Sequence, residues 1–138
     1  MRPIDILPQR DPFLLVDELV SVDPGKSAVG RWHLRGDEWF FSGHFPGRPT
    51  LPGVLMIESL AQLGGIAVLL DERYSRTLPL LGGVERARFR RQVLPGETLE
   101  IEITVDRLST KAGKGHGTIR VEDQLACEAQ LLFVIVSS

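Results

Sequence analysis

The run from Gly43 to Leu70, GHFPGRPTLPGVLMIESLAQLGGIAVLL, constrains this chain more than any other stretch. It opens as a Gly/Pro-rich loop carrying a lone histidine, His44, and continues as one long apolar helix. Pro52 suits the first helical position, where a missing N–H has no partner to lose. From Val54 to Leu70 the apolar residues fall on every side of the helix instead of on one stripe. Such a helix must be buried. One helix can be enclosed in this way only if a sheet wraps it.

Within that helix the only charge is Glu58 and the only amide is Gln62. Four residues apart, they share a face. A carboxylate inside a buried helix is costly unless something compensates it. Glu58 either reaches water at the helix edge, or caps a structural network, or serves chemistry. His44, on the loop just ahead of the helix, favours the last. A histidine and a carboxylate in perturbed environments are the usual parts of acid–base catalysis. The first backbone N–H groups of the helix, around Gly53 and Val54, add a third part. They are unpaired donors at the positive end of the helix dipole, suited to a developing oxyanion.

A membrane span is excluded, because Glu58, Gln62 and the pair Gly64-Gly65 interrupt the run and the remaining chain reads as soluble. The 138 residues fit one domain, and 43% hydrophobic with 25% charged residues fits a globular protein. A net charge of −2 offers no basic field to nucleic acid. The single cysteine, Cys127, cannot form a disulfide within the chain. With no apolar leader after Met1, a reducing, cytoplasmic compartment is expected.

Around the helix the chain reads as short strands and turns. Ile4, Ile6 and Leu7 suit a brief turn packed on the core. Strands are expected over Phe13–Asp23 and Ser27–Leu34, joined by the turn at Asp23-Pro24-Gly25-Lys26. His33 reads as a strand residue with no evident partner. Trp39, Phe40, Phe41 and Phe45 crowd ahead of the helix, to wall a pocket or to seal the core. Leu78–Val93 carries a glycine pair that predicts a bulge or bend. Thr98–Leu108 alternates strictly, with Leu99, Ile101, Ile103 and Val105 on one face and Glu100, Glu102, Thr104 and Asp106 on the other. Ser109–Gly115 reads as a flexible Lys/Gly turn, and His116–Glu122 and Leu125–Val136 as the last hairpin. Short connections of this kind imply a largely antiparallel sheet.

In ERARFRR, Arg86, Arg88 and Arg90 recur every second residue, which places them on one side of a strand. Such a row suits an acidic partner or a phosphate, with an ordinary solvated face as the alternative. No CxxC, HExxH, GxSxG or P-loop occurs, and His33, His44 and His116 are too scattered to argue a metal site.

Through GHFPGRPTLPGVLMIESLAQ the sequence resembles the 3-hydroxyacyl-acyl-carrier-protein dehydratases of type II fatty acid synthesis, of the FabZ kind. The resemblance extends upstream through LPQRDPFLLVDELVSVDPGKSAVG and downstream through RARFRRQVLPGETLEIEI and ACEAQLLF. It implies an α+β hotdog fold over residues 1–138, one long central helix wrapped by a curved antiparallel sheet. It also implies a homodimer with joined sheets, or a hexamer built as a trimer of dimers. By the same likeness His44 and Glu58 match the family's catalytic pair, composed across the dimer interface. Gly53 matches the residue whose N–H polarises the thioester carbonyl, and Gln62 one that supports the acid.

The implied reaction is loss of water from a 3-hydroxyacyl thioester to give a trans-2-enoyl thioester. His44 would take the C2 proton while Glu58 helps the 3-hydroxyl to leave. The substrate would arrive on the phosphopantetheine of an acidic carrier protein, a partner for Arg86, Arg88 and Arg90, with no other cofactor and no metal. The isomerising FabA kind carries Asp where this chain has Glu58. Two departures stand out: the family's LPHRYPFLLVD reads here with Gln9 and Asp11, and the glycine of the last hairpin is replaced around Asp123-Gln124. They leave the pair intact and allow a specialised acyl pathway beside primary fatty acid synthesis. The alternatives are a hotdog acyl thioesterase and a non-catalytic carrier-protein-binding subunit.

Overall fold

The structure, a computed structural model, describes residues 1–138. A short helix α1 (Pro3–Ile6) leads through a connecting segment into β1 (Glu18–Asp23) and β2 (Ser27–His33). The long helix α2 (Gly53–Leu69) follows, then a 3-10 turn at Glu72–Tyr74. The rest is β3 (Thr77–Phe89), β4 (Thr98–Leu108), β5 (Ala112–Val121) and β6 (Gln124–Ser137). The six strands form one antiparallel sheet in the order β1-β2-β4-β5-β6-β3. This is the hotdog arrangement that the resemblance implied, with α2 held in the curve of the sheet.

Every residue of α2 from Leu55 to Val68 except Glu58 is buried, as a helix apolar on all sides requires. Leu60, Leu63 and Ile66 are fully buried, each side chain contributing about 1.5–3 kcal/mol by leaving water. On β4 the predicted alternation holds: Leu99, Ile101 and Ile103 face the helix, and Glu102, Thr104 and Asp106 face solvent.

Several sequence expectations shift. Phe13 lies in a bend and Leu14–Asp17 forms no strand, so β1 begins only at Glu18. Pro52 is the N-cap of α2, and the first helical residue is Gly53. The Lys/Gly stretch is a turn only from Ser109 to Lys111; Gly113 and Gly115 already lie in β5. Their alternation with Lys114 and His116 is a strand pattern whose inward positions lack side chains. Gly113, Gly115 and Gly117 are buried, and a Cβ at Gly117 would press on Leu60 of α2. Gly117 thus lets the helix approach the sheet, while Gly113 and Gly115 let neighbouring strands close in. The glycine pair Gly82-Gly83 does mark an irregularity, between Leu81 and Gly83 on β3.

The sheet ends in β1 and β3, each paired on one side only, to β2 and β6, with its outer edge unpaired within the chain. β3 is the longer and the more apolar. Leu80, Leu81, Val84 and Phe89 are all exposed along it.

Candidate active site

The loop before α2 is shaped by its own backbone. His44 O accepts from Thr50 N at 2.8 Å, Phe45 and Arg48 exchange N–H···O bonds at 3.1 and 2.9 Å, and Leu51 N donates to Val93 O at 2.8 Å. These bonds fix His44 beside the start of the helix. Its Nδ1 lies 2.9 Å from the Thr50 carbonyl oxygen. A carbonyl can only accept, so Nδ1 carries the proton. In the neutral ring Nε2 is then the basic nitrogen. The ring stacks on Phe45 at a centroid distance of 4.1 Å.

His44 opens into an apolar depression of about 400 Å³ that it shares with Trp39, Phe40, Val54 and Leu55. The four aromatics ahead of the helix have divided their roles. Phe40 and Phe41 are buried and seal the core, whereas Trp39 and Phe45 are exposed.

The helix terminus supplies donors. Leu55 N bonds back to Pro52 O at 3.0 Å, and no side chain caps the end. The N–H groups of Gly53 and Val54 precede any carbonyl they could reach within the helix, so they stay free. Val54 itself is 72% exposed, far out of keeping with its neighbours in α2.

Glu58 lies one turn deeper on the face of Val54, half-buried. Its Oε2 accepts from Gln62 Nε2 at 3.0 Å. The Gln62 amide is buried and clamped from both sides. Nε2 also donates to Phe13 O at 2.9 Å, and Oε1 accepts from Leu15 N at 2.8 Å. The clamp leaves the amide no freedom to flip, so it always presents an N–H to Glu58. Burial pushes the Glu58 carboxyl above its usual value, and the Gln62 hydrogen bond draws it partly back. Held by Gln62 at Oε2, the carboxyl has Oε1 free to carry a proton.

Within one chain no hydrogen bond joins His44 to Glu58: the first is bonded to Thr50, the second to Gln62. The other histidines stand apart and paired. His33, expected to lack a partner, lies 3.0 Å from Glu18 Oε2 and 2.9 Å from Thr98 Oγ1, because β1 and β4 flank it. His116 lies 2.8 Å from Asp106. Cys127 is buried, its thiol pushed up to about 12 chiefly by burial, so it is no nucleophile.

The arginines need a correction. Arg86, Arg88 and Arg90 are all exposed, but β3 shifts register between Glu85 and Arg88, and Arg86 has φ of 51°. Arg90 lies past the last strand residue and is ion-paired to Glu128 at 3.2 Å. Spacing every second residue gives one row only on an unbroken strand, and the bulge breaks it. Sequence reading also passed over the clamp itself: Phe13 and Leu15 hold Gln62 through backbone atoms, which no side-chain pattern announces.

Known proteins resemble this chain over most of its length. FabZ, the 3-hydroxyacyl-[acyl-carrier-protein] dehydratase of Moorella thermoacetica, is 49% identical over 94% of this chain and 91% of its own length. Its counterpart in Clostridium acetobutylicum is 47% identical over 96% and 94%. Among solved structures, the dehydratase heterocomplex ApeI:P of Xenorhabdus doucetiae matches with a TM-score of 0.82 at 20% identity, over 97% of this chain and 90% of the other. The PaaI protein of E. coli, from the phenylacetic acid degradation operon, matches with a TM-score of 0.67 at 14% identity, over 85% and 81%. These two likenesses speak for the fold. The FabA-like domain model matches residues 7–130, and the chain therefore belongs to the FabA-like family, where it stands beside the FabZ proteins.

Proposed function

We propose that this protein dehydrates 3-hydroxyacyl thioesters on acyl carrier protein to trans-2-enoyl thioesters, as a hydro-lyase of fatty acid synthesis. The observation that carries the reading at the site is the commitment of His44 Nδ1–H to Thr50 O. It leaves Nε2 as a base beside a helix start with free donors. Nε2 takes the C2 proton of the substrate. The Gly53 N–H donates to the thioester oxygen and stabilises the negative charge that develops there. Glu58, whose carboxyl burial shifts above its usual value, delivers the proton from Oε1 to the 3-hydroxyl, which departs as water. The proton then passes from the His44 imidazolium back to Glu58, and the cycle closes without a cofactor.

The lack of a hydrogen bond between His44 and Glu58 within the chain agrees with a site shared between two copies. The unpaired, apolar edge of β3 suits the joining of two sheets. Exposed Arg86, Arg88 and Arg48 offer charge to an acidic carrier protein, with Arg90 available in exchange for Glu128.

The test is the hydration of a crotonyl thioester, followed by the loss of its enoyl absorbance. Wild-type protein is expected to be active, and His44→Ala and Glu58→Gln inactive. A mixture of the two variants, after subunit exchange, regains part of the activity, because one site per mixed dimer keeps both groups. Release of free thiol without hydration would replace this reading by a thioesterase. No recovery on mixing would place both groups in one chain's site.

A further inference from the structure

On the side of Val54 away from His44 lies a second depression, of about 540 Å³, lined by Gly53, Met56, Phe89 and Arg90 among others. Phe89 is 51% exposed, yet its backbone is anchored. It closes β3 opposite Cys127, the next N–H donates to Ala126 O at 2.7 Å, and Val93 O anchors Leu51 at the helix start. Its ring packs against Gly53. A Cβ on that glycine would come within 3.0 Å of Phe89 Cε1 and 3.1 Å of Cζ. Gly53 has ordinary helical backbone, so what it supplies here is space. The ring fills the room where any other residue would carry a side chain, next to a backbone N–H that has no partner.

We propose that Phe89 is a positioning residue for the thioester. Its ring forms a wall beside the Gly53 N–H, keeps water from that donor, and holds the carbonyl within hydrogen-bond reach of it. An aromatic edge also suits the adjoining sulfur. This inference rests on the dehydratase reading above. It assigns to Phe89 a part of the chemical step, and not of carrier docking.

The experiment compares kcat and KM for a 3-hydroxybutyryl thioester carried on carrier protein and on N-acetylcysteamine. An inactive wild-type protein overturns the dehydratase reading and this inference together. With active wild type, Phe89→Ala is expected to lower kcat about tenfold on both substrates, with KM shifted less than about threefold. Phe89→Tyr, which keeps the ring, restores most of the rate. Phe89→Leu keeps the apolar contact and the fold but loses kcat several-fold. Gly53→Ala, which pushes the ring aside, costs markedly less in the Phe89→Ala background than alone. A kcat within about twofold of wild type in both Phe89→Ala and Phe89→Leu overturns the inference. So does a loss confined to KM on the carrier-borne substrate, or full additivity with Gly53→Ala.

Discussion

At its C-terminal end α2 has donors for the carbonyls of Ile66, Ala67 and Val68. Leu70 N bonds Ile66 O at 3.0 Å, Asp71 N bonds Val68 O at 3.1 Å, and Gly25, from the β1–β2 turn, donates to Ala67 O at 2.8 Å. The Asp71 side chain accepts from Arg73, whose guanidinium holds the carboxyl below its usual range. At the N-terminal end the same helix has no side-chain cap, an exposed valine, free N–H groups and a half-buried carboxyl one turn in. An uncapped end typically forgoes about 1 kcal/mol. One end of the helix is finished for stability; the other is left open where the chemistry is proposed. Substitutions at the two ends should therefore separate activity from stability.

The largest effect is expected at the open end. His44→Ala removes the proposed base, and the turnover of a 3-hydroxyacyl thioester should fall by about a thousandfold. The His44 ring is bonded only to Thr50, so the melting temperature should barely change. A variant that loses activity only in proportion to lost folding would erase the contrast between the ends.

At the finished end the ranking reverses. Gly25 has φ of 76° and sits against the Asp71 carboxyl, which a Cβ would strike. Gly25→Ala should cost about 1–3 kcal/mol in denaturant unfolding, through backbone strain and displacement of the turn that caps Ala67. Activity per folded molecule should stay near wild type. A smaller effect of opposite sign is expected at the β5–β6 hairpin. Glu122 and Asp123 there have φ of 50° and 64°, a turn that favours glycine. Asp123→Gly should raise stability by about 0.5–1 kcal/mol in the same measurement, the reverse of Gly25→Ala.

The two ends also differed in how well the sequence announced them. The buried helix was plain from Val54–Leu70, because apolar residues on every side have only one solution. The strand β4 was plain from its period of two. Glu58 and Gln62 stood out by being polar in that helix. The C-terminal cap was hidden, because Gly25 reaches Ala67 across 42 residues through a backbone N–H, and only the closed fold brings them together. The start of β5 was hidden for a related reason: Gly113, Gly115 and Gly117 look like a loop until the close neighbours Leu108, Thr104 and Leu60 are seen to occupy the space their side chains would need. The break in the arginine row at Arg86 depends on a bulge, which side-chain spacing assumes away.

The finest test of the contrast is the pH dependence of Glu58→Gln. Folding raises the Glu58 carboxyl above its usual 4.5, chiefly by burial. A raised acid binds its proton more tightly in the native than in the unfolded state. Its contribution to stability is therefore full below the unfolded value and is lost as pH rises through the folded one. Glutamine is neutral throughout and can still accept from Gln62. At pH 4 the variant and wild type should melt together. By pH 8 the variant should melt slightly higher, by less than the Asp123→Gly gain because the carboxyl is only half-buried. Activity should be lost at both pH values. Melting curves that stay superimposed from pH 4 to 8 would mean that the ionised carboxylate costs the fold nothing, and that Glu58 adds no penalty to the open end of α2.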